Sequence, residues 1–168
     1  LVGVTHRGFA EGPGEVRNTF GSNISFRAEV FDELGGFDTD IGGRKGDANL
    51  QGGETELCAR MKREYRQGVW YDPDAKVAHK IFDYRTEFRW LVDRAFWQGY
   101  SKRAMESLVD TNGSEENDFV KRLVLEFVPD RFVSMLQDKS VTEAKQLVSL
   151  LVFTGAVGVG YLYAIPRY

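Results

Sequence analysis

The spacing of apolar residues changes along the chain, and each change predicts a different element. Over residues 1–53 apolar positions are short and interrupted by glycine, with Gly12-Pro13-Gly14, Gly35-Gly36, Gly42-Gly43 and Gly52-Gly53. Such punctuation predicts loops and tight turns between short elements. Within it, residues 27–34 place Val30, Phe31 and Leu34 on one face, a short helix that Gly35 stops in the left-handed conformation. From Thr55 to about Arg66, Leu57, Cys58, Met61 and Tyr65 share one side and charges the other. This predicts an amphipathic helix with Glu54 or Thr55 at its N-terminus. Residues 69–71 and 75–78 read as two extended segments joined by the Asp72-Pro73-Asp74 turn. Helical spacing returns from about Thr86 to Leu108, through Phe88, Leu91, Val92, Ala95, Phe96 and Tyr100. A polar linker is expected over 111–118. Amphipathic stretches over 119–128 and 130–138 follow, separated by Pro129, which breaks or kinks a helix.

The last pattern is different in kind. Residues 147–165 carry no charge. As a helix this stretch is roughly 28 Å long, close to the hydrocarbon thickness of a bilayer. Gly155, Gly158 and Gly160 weaken a helix in water but are common in membrane helices, where they allow close packing. A membrane-spanning or membrane-embedded segment is expected; the alternative is a buried core helix.

Composition sets bounds on function. The chain has 168 residues, a formal charge of -3, two His and one Cys. An acidic balance excludes the broad basic footprint of most nucleic-acid binders, so no nucleic-acid partner is expected. One cysteine excludes an internal disulfide framework, and the His and Cys inventory cannot build a zinc finger. The chain starts at Leu1 without a basic and apolar leader pattern, which suggests a piece of a longer protein.

Several residues could carry chemistry. Glu54 and Glu56 open a helix directly after Gly52-Gly53. A carboxylate at a helix N-terminus is favoured in its charged form, and flanking glycines let a ligand approach. That suits a base taking a proton from a hydroxyl, although an ordinary acidic first turn has the same spelling. His79, at the end of a predicted strand, could ligate a metal or have a structural role. Asp38-Thr39-Asp40 and Asp72-Pro73-Asp74 both spell D-x-D; turn and loop chemistry explain them better than a metal site.

Four segments in order carry a family resemblance: residues 21–27 (GSNISFR), 30–38 (VFDELGGFD), 52–57 (GGETEL) with Arg60, and 70–79 (WYDPDAKVAH). Together they resemble the C-terminal half of the catalytic domain of family 2 glycosyltransferases. The resemblance implies an α/β fold, the C-terminal part of a GT-A (nucleotide-diphospho-sugar transferase) domain followed by amphipathic and apolar helices. The implied boundaries are 1–85 for the acceptor-side half, 86–138 for an amphipathic helical region and 139–168 for the apolar helix. The nucleotide-binding half is expected ahead of Leu1, and the chain by itself is expected to lack activity.

The resemblance also implies roles. Glu54 matches the family's catalytic base, whereas Gly53 replaces the preceding acidic residue of the motif. Glu56 matches a later acidic position that is structural or acceptor-binding. Asn23, Arg27, Gly52 and Gly53 match segments lining the donor and acceptor sugars. His79 matches a histidine that helps ligate a divalent metal in several such enzymes. That metal, Mg or Mn, is expected to be held mainly through a D-x-D in the preceding half. The implied reaction is inverting transfer, of hexosyltransferase type, from a nucleotide-sugar to a glycan or polyprenyl-linked acceptor. Residues 94–102 (RAFWQGYSK) resemble membrane-associated members that build surface or lipid-linked glycans. Phe96, Trp97 and Tyr100 there either meet lipid headgroups or pack beneath the catalytic domain. Lys121, Arg122, Arg131, Lys139 and Lys145 precede the apolar segment, which favours a cytoplasmic catalytic face. Two other readings stay open: a non-catalytic membrane scaffold or glycan-binding protein with a degenerate transferase domain, and a soluble transferase whose last helix is buried.

Overall fold

The computed structural model describes residues 9–108, 123–138 and 141–168. Among these described residues are two small antiparallel sheets and five α-helices. Strand β1 (Gly14–Val16) pairs with β4 (Val69–Tyr71) in the register Gly14↔Tyr71, Glu15↔Trp70, Val16↔Val69. Strands β2 (Gly43–Lys45) and β3 (Ala48–Leu50) form a hairpin. Its turn contains Gly46 at φ 56, a conformation that favours glycine. Helix α1 is Ala28–Leu34 and α2 is Gly53–Tyr65. A 3₁₀ turn at Asp83–Thr86 leads into α3, Phe88–Leu108. A π turn, Leu123–Phe127, continues into α4, Val128–Asp138, and α5 is Val141–Ala164.

Most expected helices form. Gly35 ends α1 with φ 78 and its N–H donates to the Phe31 carbonyl. Leu57 and Cys58 are fully buried on the apolar face of α2. Three expectations change. Residues 75–78 form no strand; β4 pairs instead with β1, a segment read as loop. The glycine-rich 43–50 region is a hairpin. Pro129 does not end the helix: it stands where the π turn Leu123–Phe127 passes into α4, and its missing N–H leaves one bond to the preceding turn unmade. The two sheets among the described residues are two-stranded and antiparallel; the parallel strands that the resemblance implies belong to the half expected ahead of Leu1. The mixed helix–sheet class agrees with a partial transferase domain. The linker over 111–118, residues 119–122, Lys121, Arg122 and Lys139 lie outside the described residues.

The apolar segment becomes α5, which is long and apolar enough to cross a membrane, with 11% of its most apolar stretch buried. It packs on α3. A Cβ on Gly99 would run into the Val157 carbonyl, and one on Gly160 into the Phe96 carbonyl, so the two backbones touch at a glycine–glycine crossing. Phe88 meets Phe153 at 5.3 Å between ring centres on one side of the crossing. On the other, the Tyr161 hydroxyl donates to Glu106 at 2.6 Å and Arg103 donates to the Tyr168 carbonyl at 3.3 Å. Ala164 is buried with Leu50 and Tyr100 in a cluster that Ala48 and Trp97 flank. Thus Phe96, Trp97 and Tyr100 pack inside the molecule, against α5 and β3. Around the start of α3 it is Phe82, Tyr84 and Phe88 that are exposed.

Candidate active site

The four sequence segments, remote along the chain, are linked in pairs: 21–27 lies over the start of α2 and is tied to 70–79 through Asn23, and 30–38 is held further along α2 by Arg60. Gly52 caps that helix in the left-handed conformation, φ 106, with no side chain of its own to cap it. The loop before it is anchored on α3. The Gln51 N–H donates to Ser101 Oγ at 2.8 Å, and Ser101, 3% exposed, donates to the Trp97 carbonyl at 2.7 Å. Gln51 Nε2 donates to the Arg94 carbonyl at 3.2 Å. A Cβ on Gly52 would lie 3.1 Å from Met105 Cε, and one on Gly42 would lie 3.3 Å from the Gly53 nitrogen. Glycine at these positions lets the loop lie flat between α3 and the hairpin strand. On the other side, Asn18 Nδ2 donates to Thr55 Oγ1 at 2.8 Å, tying β1's exit to the first turn of α2.

Glu54 stands half-buried on that first turn. Its carboxylate lies 3.5 Å from where a Cβ on Gly21 would sit, so the 21–27 segment passes directly over it. A methyl group at position 21 would make ordinary van der Waals contact with the carboxylate. Among the described residues no hydrogen bond or ion pair engages Glu54, which leaves its oxygens available to an incoming hydroxyl. Asn23 adds the fourth segment: its N–H donates to the Phe20 carbonyl at 2.8 Å and its Nδ2 to the Ala75 carbonyl at 2.7 Å. Arg27 flanks α1 as its N-cap, exposed, its carbonyl receiving the Val30 N–H.

Glu56 has another setting. It is 2% exposed and forms a two-point pair with Arg60, whose Nη2 reaches Oε2 at 2.8 Å. The same guanidinium donates to the Leu34 and Gly36 carbonyls at the end of α1. The third segment is therefore clamped to the second by one arginine, which Glu56 holds in place; that hydrogen bond also raises the Arg60 pKa. Replacing Arg60 by Met strands a buried carboxylate. A loss of about 3 kcal/mol is expected in denaturant unfolding, most of it recovered when Glu56 is also changed to Gln.

Positive charge near the base comes from α3. Burial lowers the Arg94 pKa, the nearby Arg85 lowers it further, and Glu54 acts in the opposite direction. Arg94 Nε is buried without a hydrogen-bond partner among the described residues. Burial, with Glu54 second, pushes the Cys58 thiol up to about 11, so this cysteine stays protonated near neutral pH.

His79 is half-buried on the segment after β4. Among the described residues no group of three or more His, Cys, Asp or Glu side chains converges, so these residues do not assemble a metal centre by themselves. The two D-x-D spellings fold as turns: Asp38 accepts from the Asp40 N–H at 2.6 Å and Asp72 from the Asp74 N–H at 2.9 Å. Sequence reasoning missed Gln51, Ser101 and the placement of Arg94 beside the site. The available signal for Ser101 was a small hydroxyl inside an otherwise apolar helical face.

Comparison with known proteins gives one informative similarity. Over 165 residues, 98% of this chain, the sequence is 48% identical to a glucosyl-dolichyl phosphate glucuronosyltransferase of Haloferax volcanii. The chain spans about half of that protein, 52% of its length. No family model and no solved structure matches the chain.

Proposed function

We propose that the chain is the acceptor-side part of a membrane-associated family 2 glycosyltransferase of GT-A type, which transfers a sugar from a nucleotide-sugar to a lipid-linked acceptor. The observation that carries this reading is the 48% identity, sustained over nearly the whole chain, to an enzyme named for glucuronosyl transfer to glucosyl-dolichyl phosphate. The half-buried carboxylate of Glu54 at the start of α2, with the 21–27 segment lying over it, supports it. The donor class we assign is a nucleotide-activated hexose or hexuronic acid, and the acceptor a sugar on dolichyl or another polyprenyl phosphate. The catalytic face lies on the cytoplasmic side.

In this reading Glu54 accepts the proton of an acceptor hydroxyl as its oxygen attacks the anomeric carbon. The bond from that carbon to the donor diphosphate breaks on the opposite side, the configuration inverts, and the nucleoside diphosphate leaves. Arg94 supplies a fixed positive charge beside the base, suited to the charge that builds on the departing diphosphate. Asn23, Arg27, Gly52 and Gly53 line the sugar cleft, and Glu56 acts through the Arg60 clamp. A divalent metal would be held mainly by residues of the other half, with His79 as one contact. The residues described in this chain do not make that centre, and no step is assigned to it.

The test is transfer by the full-length protein, purified in detergent, from nucleotide-activated glucuronic acid to glucosyl-dolichyl phosphate. Expected is a product heavier by one sugar residue, with the anomeric configuration inverted by NMR. Binding of donor and acceptor without product would favour a non-catalytic scaffold and overturn the proposal.

A further inference from the structure

The apolar helix α5 meets the two usual requirements for a membrane span, length and lack of charge, yet its surroundings conflict with crossing. From Phe153 to Tyr168 it lies against α3, from the Phe88–Phe153 ring contact to the bond between Arg103 and the Tyr168 carbonyl. Helix α3 carries Arg89, Asp93, Arg94, Lys102, Arg103 and Glu106. Beyond α3, the hairpin is fastened to the same place, since Leu50 and Tyr100 enclose Ala164 and Gln51 binds the Arg94 carbonyl. If residues 147–165 crossed the hydrocarbon, this charged helix and the irregular chain around Gln51 would enter it alongside. A charge at the bilayer centre costs about 2.5–3.5 kcal/mol even on the most lenient scale. Irregular backbone is not tolerated against lipid.

The exposed side of α5 resolves the conflict. Val148, Leu151, Val152, Val159 and Leu162 are all exposed and recur at helical spacing. The opposite face, with Phe153, Val157, Gly160 and Ala164, is the one on α3. Beside it, Phe82, Tyr84 and Phe88 are exposed at the start of α3, with Lys80 5.2 Å from the Phe82 ring and Arg85 within 6 Å of Tyr84 and Trp90. At the far end Arg167 stacks 4.2 Å from the Tyr163 ring. Such ring–cation pairs suit a headgroup region; at the two ends of one stripe they fit a helix in one leaflet as well as one crossing two, and the charged helix α3 beside it decides for the first.

We infer that α5 lies in the plane of one leaflet, its Val148–Leu151–Val152–Val159–Leu162 stripe in the lipid and its glycine face on α3, and does not cross the bilayer. This deepens the membrane-associated reading above and rests on it. The arrangement holds the start of α2 close to the membrane surface, where a lipid-linked sugar would arrive.

The experiment uses the full-length protein in sealed vesicles of its own membrane, with a membrane-impermeant maleimide. Reporter cysteines replace Lys76, whose side chain is 78% exposed, and Tyr168, beyond the end of α5. Glu29→Cys on α1 is a second reporter for the α/β side. Buried Cys58 gives the low background. Labelling of both sites in inverted vesicles, and protection of both in intact right-side-out vesicles, is the expected result. Labelling of Lys76→Cys and Tyr168→Cys from opposite faces would overturn the in-plane seat while leaving membrane association standing. Recovery of the unmodified protein in the soluble fraction would overturn the membrane reading and the seat with it.

Discussion

Exchanging Glu54 for Gln in the full-length protein should lower turnover by a factor of about 10²–10⁴, the range for loss of a positioned base. The amide keeps the shape and the fit beneath Gly21 but cannot accept a proton at neutral pH. Donor affinity should therefore stay within about twofold, because the change falls on the chemical step. Rapid-quench transfer assays and equilibrium donor binding on the same preparation read the two quantities separately. Near-normal turnover would remove Glu54 as the base and favour the scaffold reading.

The largest stability effect should come from Gly160→Leu. At the α3–α5 crossing even a Cβ would strike the Phe96 carbonyl, and backbone cannot move aside as a side chain can. A loss of about 4 kcal/mol or more is expected, at the top of the range for single substitutions. Gly155→Leu is the matched control: a Cβ there meets nothing within 4 Å, so the change should be neutral or slightly stabilising. Thermal unfolding in detergent or lipid compares the two. The Gly160 variant should also lose transfer activity, because α5, α3 and the Gln51 loop form one contact chain ending at Glu54. Equal melting temperatures for Gly160→Leu and Gly155→Leu would show that the helices do not approach at the glycines.

Both effects separate what local pattern encodes from what packing decides. Helices α1 and α2 and most of α3 were legible because their apolar residues recur at helical spacing and Gly35 marks a stop. The β1–β4 pairing was not, because three-residue strands carry too little alternation to exceed the noise of glycine-rich sequence. Residues 75–78 alternate well enough to resemble a strand, but Asn23 takes the Ala75 carbonyl in place of a ladder partner. Glu54 was legible as a carboxylate opening a helix after two glycines. The bond between Gln51 and Ser101 was not, since it joins residues 50 positions apart. Glu56 shows the ambiguity directly: its spelling allowed a structural or an acceptor-binding role, and its burial under Arg60 became visible only in three dimensions.

The sequence by itself determined that the chain holds short glycine-punctuated elements, an acidic helix start and a long uncharged helix, because each follows from neighbouring residues and backbone chemistry. Only the tertiary structure decided which side chains share the space around Glu54, and that the uncharged helix is bound along its length to a charged one. Those outcomes depend on contacts between distant residues, where close glycine packing and the cost of burying charge act together.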